Sequence, residues 1–140
     1  MPSDLYGFKT GDIPGRRAEL EAVFAAPMEP HESSYLGEYD LLRLDSGARL
    51  RLQANRDAED GSALAEDDFP EHSLLIYVES KDQADELREQ LLDRVSGIEF
   101  LRREMVTADR RFLRIRSIGG KDVVVFEKRL DAAPAAVHAR

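Results

Sequence analysis

The stretch EHSLLIYVESKDQADELREQLLDRVSG, residues 71–97, predicts one strand followed by one helix. Its apolar run LLIYV, residues 74–78, is rich in strand-forming side chains and contains neither glycine nor proline. Apolar side chains fall on both odd and even positions of this run. A strand of this kind is covered on both faces, so we expect it near the middle of a sheet.

The helix predicted over residues 81–95 is amphipathic. Its apolar residues recur at steps of three and four, whereas its opposite face is mainly acidic. Ser80 and Gln83 have the spacing of a capping box at the start of the helix. Gly97 suits the left-handed residue that often follows a helix. We therefore expect this helix to lie on the sheet with an acidic face in solvent.

The rest of the chain follows the same order of elements in two halves. Turn-forming residues separate the segments of each half, and Asp12 with Pro14 predicts the start of the first helix. The predicted segments are a strand at 5–10, a helix ending before Pro27, strands at 29–35, 38–45 and 48–55, and then, after the strand and helix just described, strands at 98–107, 110–117 and 121–129.

This order predicts an α+β fold built from two β-α-β-β-β modules. We expect the modules to form one curved mixed sheet with both helices on its convex face. The predicted organisation is a single domain at 1–130, with module one at 4–55, an acidic loop at 56–71, module two at 72–129, and a flexible tail at 131–140.

The composition of the chain excludes several kinds of functional site. The chain has 140 residues and no cysteine, which excludes cysteine nucleophiles, thiolate metal sites and disulfides. The first residues, MPSDLYGFKT, lack the basic and apolar regions of a signal peptide, and no apolar run approaches the roughly 20 residues of a membrane span. We expect a cytoplasmic protein that binds no membrane.

Negative charge is concentrated in the first two thirds of the chain. Residues 1–95 carry 22 acidic and 10 basic side chains, a balance of −12, whereas residues 96–140 carry 6 and 10, a balance of +4. The loop 56–71 has seven acidic residues and one basic residue. This distribution argues against broad nucleic-acid binding and favours either a basic partner or simple solubility. A loop of this length is typically functional or mobile.

The element order resembles the vicinal oxygen chelate fold of glyoxalases and bleomycin-resistance proteins, over about residues 4–129. Metal-dependent members of that family take ligands from the first and last strands of each half. The resemblance makes His72, Gln53 and Glu127 candidate ligands, while the first strand offers Tyr6 instead of the usual histidine. The opposing interpretation is that His72 begins a strand and Glu127 forms a surface ion pair.

Neither nucleophilic catalysis nor a phosphate-binding loop has a recognisable motif in this sequence. Residues 31–35, HESSY, place a histidine beside hydroxyls, but nothing in the sequence supplies the orienting group of a triad. By strand alternation, two pairs of arginines could line a cleft and bind a carboxylate or phosphate, or could pair with glutamates across strands. These arginines are Arg49, Arg51, Arg114 and Arg116.

The sequence therefore favours a binding protein without catalysis or cofactor. Its short, acidic, cysteine-free character resembles that of small bacterial immunity proteins, which neutralise a toxin. The alternative is a divergent vicinal-oxygen-chelate protein, either a metal-dependent lyase or dioxygenase or a protein that sequesters a drug. A homodimer is compatible with either. The residues expected to contact a basic partner are Asp57, Glu59, Asp60, Glu66, Asp67 and Asp68.

Overall fold

The structure is a computed structural model of the 140-residue chain and describes residues 2–57 and 59–130. The tail predicted at 131–140 lies outside the described residues. The elements follow the predicted order: β1 (Ser3–Phe8), α1 (Ile13–Phe24), β2 (Met28–Ser33), β3 (Gly37–Arg43), β4 (Arg49–Ala54), β5 (Leu74–Glu79), α2 (Ala84–Arg94), β6 (Ile98–Val106), β7 (Arg111–Ile118) and β8 (Lys121–Arg129).

The eight strands form one sheet in the order β2-β3-β4-β5-β1-β6-β7-β8. All seven neighbouring pairs in that sheet are antiparallel. The expectation of a mixed sheet is therefore wrong. The α+β class and a curved sheet with two helices are confirmed.

The two halves do not form separate units side by side. Strand β1 lies between β5 and β6 of the second half, and β5 lies between β1 and β4. Strands β5 and β6 therefore run parallel with β1 between them and are joined by α2, as in the split β-α-β motif. As a result, β5, the first strand of the second half, lies next to β2-β3-β4, and β1, the first strand of the first half, lies next to β6-β7-β8.

Both helices pack on the same face of the sheet. Leu20 of α1 and Leu91 of α2 are fully buried in one apolar cluster with Tyr6 and Phe8 of β1 and Ile76 of β5. The other side of the sheet, here called the open face, has a smaller cluster formed by Leu5, Leu75, Leu101 and Phe69. This second cluster explains why β1 and β5 are apolar at both odd and even positions.

The predicted helix ends are partly correct. Asp12 caps α1 by accepting a hydrogen bond from the backbone N–H of Gly15 at 2.8 Å, and Gly97 has a positive φ of 75° after α2. The capping box at Ser80 is wrong, because α2 begins only at Ala84 with Gln83 as its cap residue. The hydroxyl of Ser80 is instead buried, without a hydrogen-bond partner among the described residues.

Arg16 joins the two helices at one end of the sheet. Its guanidinium donates to the backbone carbonyl of Ser96 at 2.7 Å and to that of Thr10 at 3.1 Å, and it lies 4.0 Å from the centre of the Phe8 ring. Glu19 on the next turn of α1 accepts a further hydrogen bond from it at 2.7 Å. This buried cation satisfies carbonyl groups that the ends of β1 and α2 would otherwise leave unpaired.

Candidate functional site

The acidic loop between β4 and β5 folds back over the open face, and Asn55 is the residue that fixes its path. The side-chain amide of Asn55 donates to the carbonyls of Phe69 and His72, each at 3.0 Å, and its oxygen accepts from the N–H of Glu66 at 2.8 Å. Asn55 is itself buried. One side chain therefore ties the last residues of the loop to its first ones.

Phe69 anchors the loop through apolar contact. Its ring is buried against Leu5, Leu75 and Leu101, which belong to β1, β5 and β6. The guanidinium of Arg116 lies 4.8 Å from the centre of the same ring on the outer side. Burial of a phenylalanine contributes about 1.5–3 kcal/mol, so this contact holds the loop on the sheet.

Glu66 adds a polar anchor beside Phe69. Its carboxylate accepts a hydrogen bond from the Tyr77 hydroxyl at 2.5 Å and two from Arg102 at 2.9 and 3.3 Å. Burial, together with the hydrogen bond to Glu66 and its charge, raises the pKa of Tyr77. Burial of Arg102 acts to lower its pKa, but the contacts with Glu66 outweigh that effect, so the pKa is raised.

The other five candidate carboxylates of the loop point into solvent. None of them lies within ion-pair distance of a basic side chain in residues 2–57 and 59–130. Some shape the loop locally: hydrogen bonds from Ser62 lower the pKa of Asp60. The exposed set consists of Asp57, Glu59, Asp60, Asp67 and Asp68.

The four predicted arginines share the open face but do not converge. Arg49 pairs with Glu79 across the β4–β5 ladder, and Arg114 pairs with Glu104 across the β6–β7 ladder, as cross-strand pairing predicts. Arg51 donates to Gln53 at 2.9 Å and lies over the Tyr77 ring. Three strands, β5, β1 and β6, separate the two arginine pairs.

The three candidate metal ligands are also apart. Gln53 on β4 and Glu127 on β8 have four strands between them, about 24 Å along the sheet at about 4.8 Å per strand. Glu127 forms an ion pair with Arg111 at 2.8 Å, as the opposing interpretation predicted. His72 is buried with its Nε2 3.3 Å from Glu99. The described residues contain no group of three or more histidine, aspartate or glutamate side chains placed to hold a metal.

In the HESSY segment, residues 31–33 end strand β2, and Ser34 and Tyr35 begin the turn to β3. The hydroxyl of Ser33 accepts hydrogen bonds from the backbone N–H groups of Tyr35 and Leu36, so it shapes the β2–β3 hairpin. His31 stacks on Tyr39, with ring centres 5.4 Å apart. His31 and the Ser33 hydroxyl therefore both have structural roles in the β2–β3 hairpin.

A cleft of about 810 Å³ lies between the start of α1, the β2–β3 hairpin and the first residues of the acidic loop. Its walls combine apolar residues such as Pro14 and Leu36 with the acidic residues Glu32 and Glu38. Asp40, which is buried in the cleft wall, accepts two hydrogen bonds from Arg17 at 2.9 and 3.1 Å. A cleft of this volume is large enough for a small molecule.

Sequence reasoning missed the three residues that hold the loop in place, Asn55, Tyr77 and Arg102. Asn55 stood at the end of a predicted strand, Tyr77 within a strand, and Arg102 within another strand. No local pattern distinguishes them, because their partner Glu66 lies 11 to 36 positions away in the chain.

Comparison with models of known protein families finds no match to this chain. A search of curated proteins finds no match either. Neither α1 nor α2, the two helices within residues 2–57 and 59–130, is long and apolar enough to cross a membrane.

Replacing Asn55 with alanine should release the loop while leaving the sheet folded. The variant loses the four hydrogen bonds of the Asn55 side chain, which run to the carbonyls of Glu66, Phe69 and His72 and from the N–H of Glu66. We expect cleavage by a glutamate-specific protease within residues 57–71 to become at least about tenfold faster, because cleavage follows local opening. Ser62→Ala, which removes a hydroxyl from the exposed part of the loop, is the control, and equal rates for the two variants would contradict the role of Asn55.

Tyr77 should make stability fall at alkaline pH. In the unfolded chain its hydroxyl ionises near the ordinary pKa of 10.0, whereas the folded pKa is raised. The stabilisation is therefore complete below about pH 10 and is lost as the pH rises towards the folded value. Tyr77→Phe should be less stable at pH 8 by about 1.5–3 kcal/mol, since it loses a hydrogen bond to a charged group.

Above pH 10 the free energy of unfolding should fall less steeply for Tyr77→Phe than for the unchanged protein, so the two curves approach each other. Urea unfolding at intervals between pH 8 and pH 11 measures this difference. Parallel curves over the whole interval would mean that Tyr77 ionises equally in both states.

Proposed function

We propose that this protein is a non-catalytic binding protein whose loop 56–71 engages a basic partner protein. The observation that carries the proposal is the combination of five exposed, unpaired carboxylates with a loop that is anchored to the sheet. A solvated linker needs no such anchor. The anchored loop therefore supports the proposal that its carboxylates form a preformed contact surface for a partner.

Anchoring matters energetically because a partner then does not have to order the loop. Ordering a flexible segment on binding costs part of the interaction free energy, and a preformed loop avoids that cost. Clustered negative charge also raises the rate of encounter with a positively charged partner. Together these effects favour fast association with a basic protein.

Glu66 takes a different part from the other acidic residues in this proposal. Its carboxylate is occupied by Tyr77 and Arg102, so it positions the loop and does not present charge to the partner. Glu71 is exposed but lies 3.6 Å from Lys9. The contact surface that we propose therefore consists of Asp57, Glu59, Asp60, Asp67 and Asp68.

An immunity-type function is the form of this proposal that the sequence favours. In such a function the acidic loop would cover the active site of a basic toxin domain, which itself binds an anionic substrate. Carboxylates on a rigid loop would occupy the cationic positions of that site. The general resemblance to small acidic immunity proteins supports this choice of partner class.

The second candidate is sequestration of a small cationic molecule in the cleft near α1, as in drug-binding relatives of the vicinal oxygen chelate fold. The specific observation in its favour is a cleft of about 810 Å³ whose lining includes the acidic residues Glu32, Glu38 and Asp57. A metal-dependent version has less support, because its three candidate ligands are separated.

The experiment places a photo-reactive phenylalanine analogue at Ser62 in the loop, or at Gln90 on the exposed face of α2 as a control. The proposal expects one basic protein to be cross-linked from position 62 and not from position 90. Binding kinetics are then measured with that protein in purified form. The comparison uses two variants with equal changes in net charge.

The loop variant carries neutral amides at four acidic positions, and the control variant carries them at four exposed acidic positions on α2 or just before it. We expect the association rate constant at low salt to fall at least about tenfold for the loop variant, with a weaker dependence on salt. The control should change it less than about twofold. The loop set is Asp57, Glu59, Asp67 and Asp68, and the matched set is Asp82, Glu86, Glu89 and Asp93.

Equal slowing by the two variants would mean that only overall charge matters, which would contradict the proposal. A cross-linked partner with an acidic surface would contradict it as well. Stabilisation by a small cationic compound, with no protein cross-linked at position 62, would favour the cleft instead.

A further inference from the structure

The two edges of the sheet formed by residues 2–57 and 59–130 differ in how they are protected. Edge strand β2 contains Pro30, which has no N–H, and the charged residues Glu29 and Glu32, and these are devices that discourage strand addition. Edge strand β8 has neither proline nor charge in its centre, where Val123 to Phe126 are 41–51% exposed. An apolar edge of this kind is the surface to which another strand can add.

On the open face, β8 presents two apolar side chains flanked by two lysines, and its neighbour β7 presents two arginines flanked by two apolar side chains. The strand register places a basic residue beside an apolar one at each of four successive positions. These pairs are Lys128 with Phe112, Phe126 with Arg114, Val123 with Arg116, and Lys121 with Ile118.

Positive charge on this part of the open face is only partly neutralised. Arg114 is paired with Glu104 at 2.7 Å, but Lys121, Lys128 and Arg116 have no carboxylate within 4.0 Å among residues 2–57 and 59–130. The Nε of Arg116 is also buried without a hydrogen-bond partner in the same part of the chain. A partner for this surface therefore needs negative charge as well as apolar side chains.

A second copy of the same strand fits poorly. The residues that flank the apolar centre of β8 are arranged in mirror order, Lys121-Asp122 on one side and Glu127-Lys128 on the other. The antiparallel register that aligns two apolar centres places lysine opposite lysine and Asp122 opposite Glu127. Like charges directly opposite each other destabilise a strand pair.

A single-stranded nucleic acid would satisfy the charge but not the edge. It could stack on Phe112 and Phe126, yet it would leave the outer backbone groups of β8 unpaired. It would also leave Val124 and Val125 exposed, at 51% and 43%. An added polypeptide strand covers both the edge and the two apolar surfaces that flank it.

We propose that β8 accepts an extended acidic segment of a partner protein as a ninth strand of the sheet. Backbone hydrogen bonds would supply affinity, apolar residues of the segment would lie beside Val123 and Phe126, and acidic residues at its ends would face Lys121 and Lys128. The segment is therefore about seven residues long, acidic at both ends and apolar at alternate positions between them. This site uses none of the exposed carboxylates of the acidic loop and does not rest on the function proposed for them.

The test uses two blocked seven-residue peptides and the full chain. One peptide has the sequence Glu-Thr-Val-Thr-Val-Thr-Glu, and the other has lysine at both ends. We expect the acidic peptide to bind at least about tenfold more tightly, with backbone amide shifts confined to β8 and its neighbour β7 in nuclear magnetic resonance spectra. The double variant Lys121→Glu/Lys128→Glu should reverse the preference between the peptides, and its unfolding midpoint confirms that it is folded.

Four results would overturn this proposal. The first is an acidic peptide that shows no saturable binding up to about 1 mM, and the second is an equal affinity for the two peptides. The third is light scattering that gives a dimer for the unchanged chain and a monomer for the double variant, because the edge would then bind a second copy. The fourth is a single-stranded RNA oligonucleotide that displaces the peptide and binds more tightly.

Discussion

The antiparallel pairing of β1 with β5 joins the two halves of the chain into one sheet. Each strand is the first of its half, and each pairs on its other side with a strand of the opposite half. Their side chains are buried on both faces, against the helices on one side and against Phe69 on the other. Without this pairing, the sheet would separate into two four-stranded pieces that share no core.

This arrangement also determines where the long loop lies. Strands β4 and β5 are neighbours, so a short hairpin would connect them, yet 19 residues separate Ala54 from Leu74. The excess chain has the apolar centre of the open face available to it, where Leu5, Leu75 and Leu101 need cover. Phe69 supplies that cover, and Asn55 and Glu66 align the polar groups around it. The carboxylates that are exposed belong to the loop residues that lie outside this contact.

Much of the architecture could be predicted from the sequence because its signals are local. Asp12 with Pro14 and the apolar run at 74–78 marked where α1 and β5 begin, and the order of the ten elements is as expected. The start of α2 was wrong, since Ser80 is turned into the core and does not cap the helix. The spacing of Ser80 and Gln83 therefore does not by itself show whether the Ser80 side chain caps the helix or is buried in the core.

Strand order could not be predicted in the same way. β1 and β5 are both short and apolar at odd and even positions, so nothing in either segment indicates which neighbours it takes. The candidate site had the same difficulty, because Glu66 is one of seven acidic residues in residues 56–71 and has no local feature that separates it from the rest. Only its position beside Tyr77 and Arg102 identifies it as an anchor.

Amide hydrogen exchange of the unbound protein measures whether the loop is fixed to the open face before any partner arrives. The backbone N–H groups of Glu66, Phe69 and His72 are hydrogen-bonded to Asn55, Glu66 and Phe69 respectively. They should therefore exchange at least about a hundredfold more slowly than the same residues in an unstructured peptide. Exchange at the unstructured rate for all three would mean that the loop is free in solution, and the acidic surface would then not be preformed.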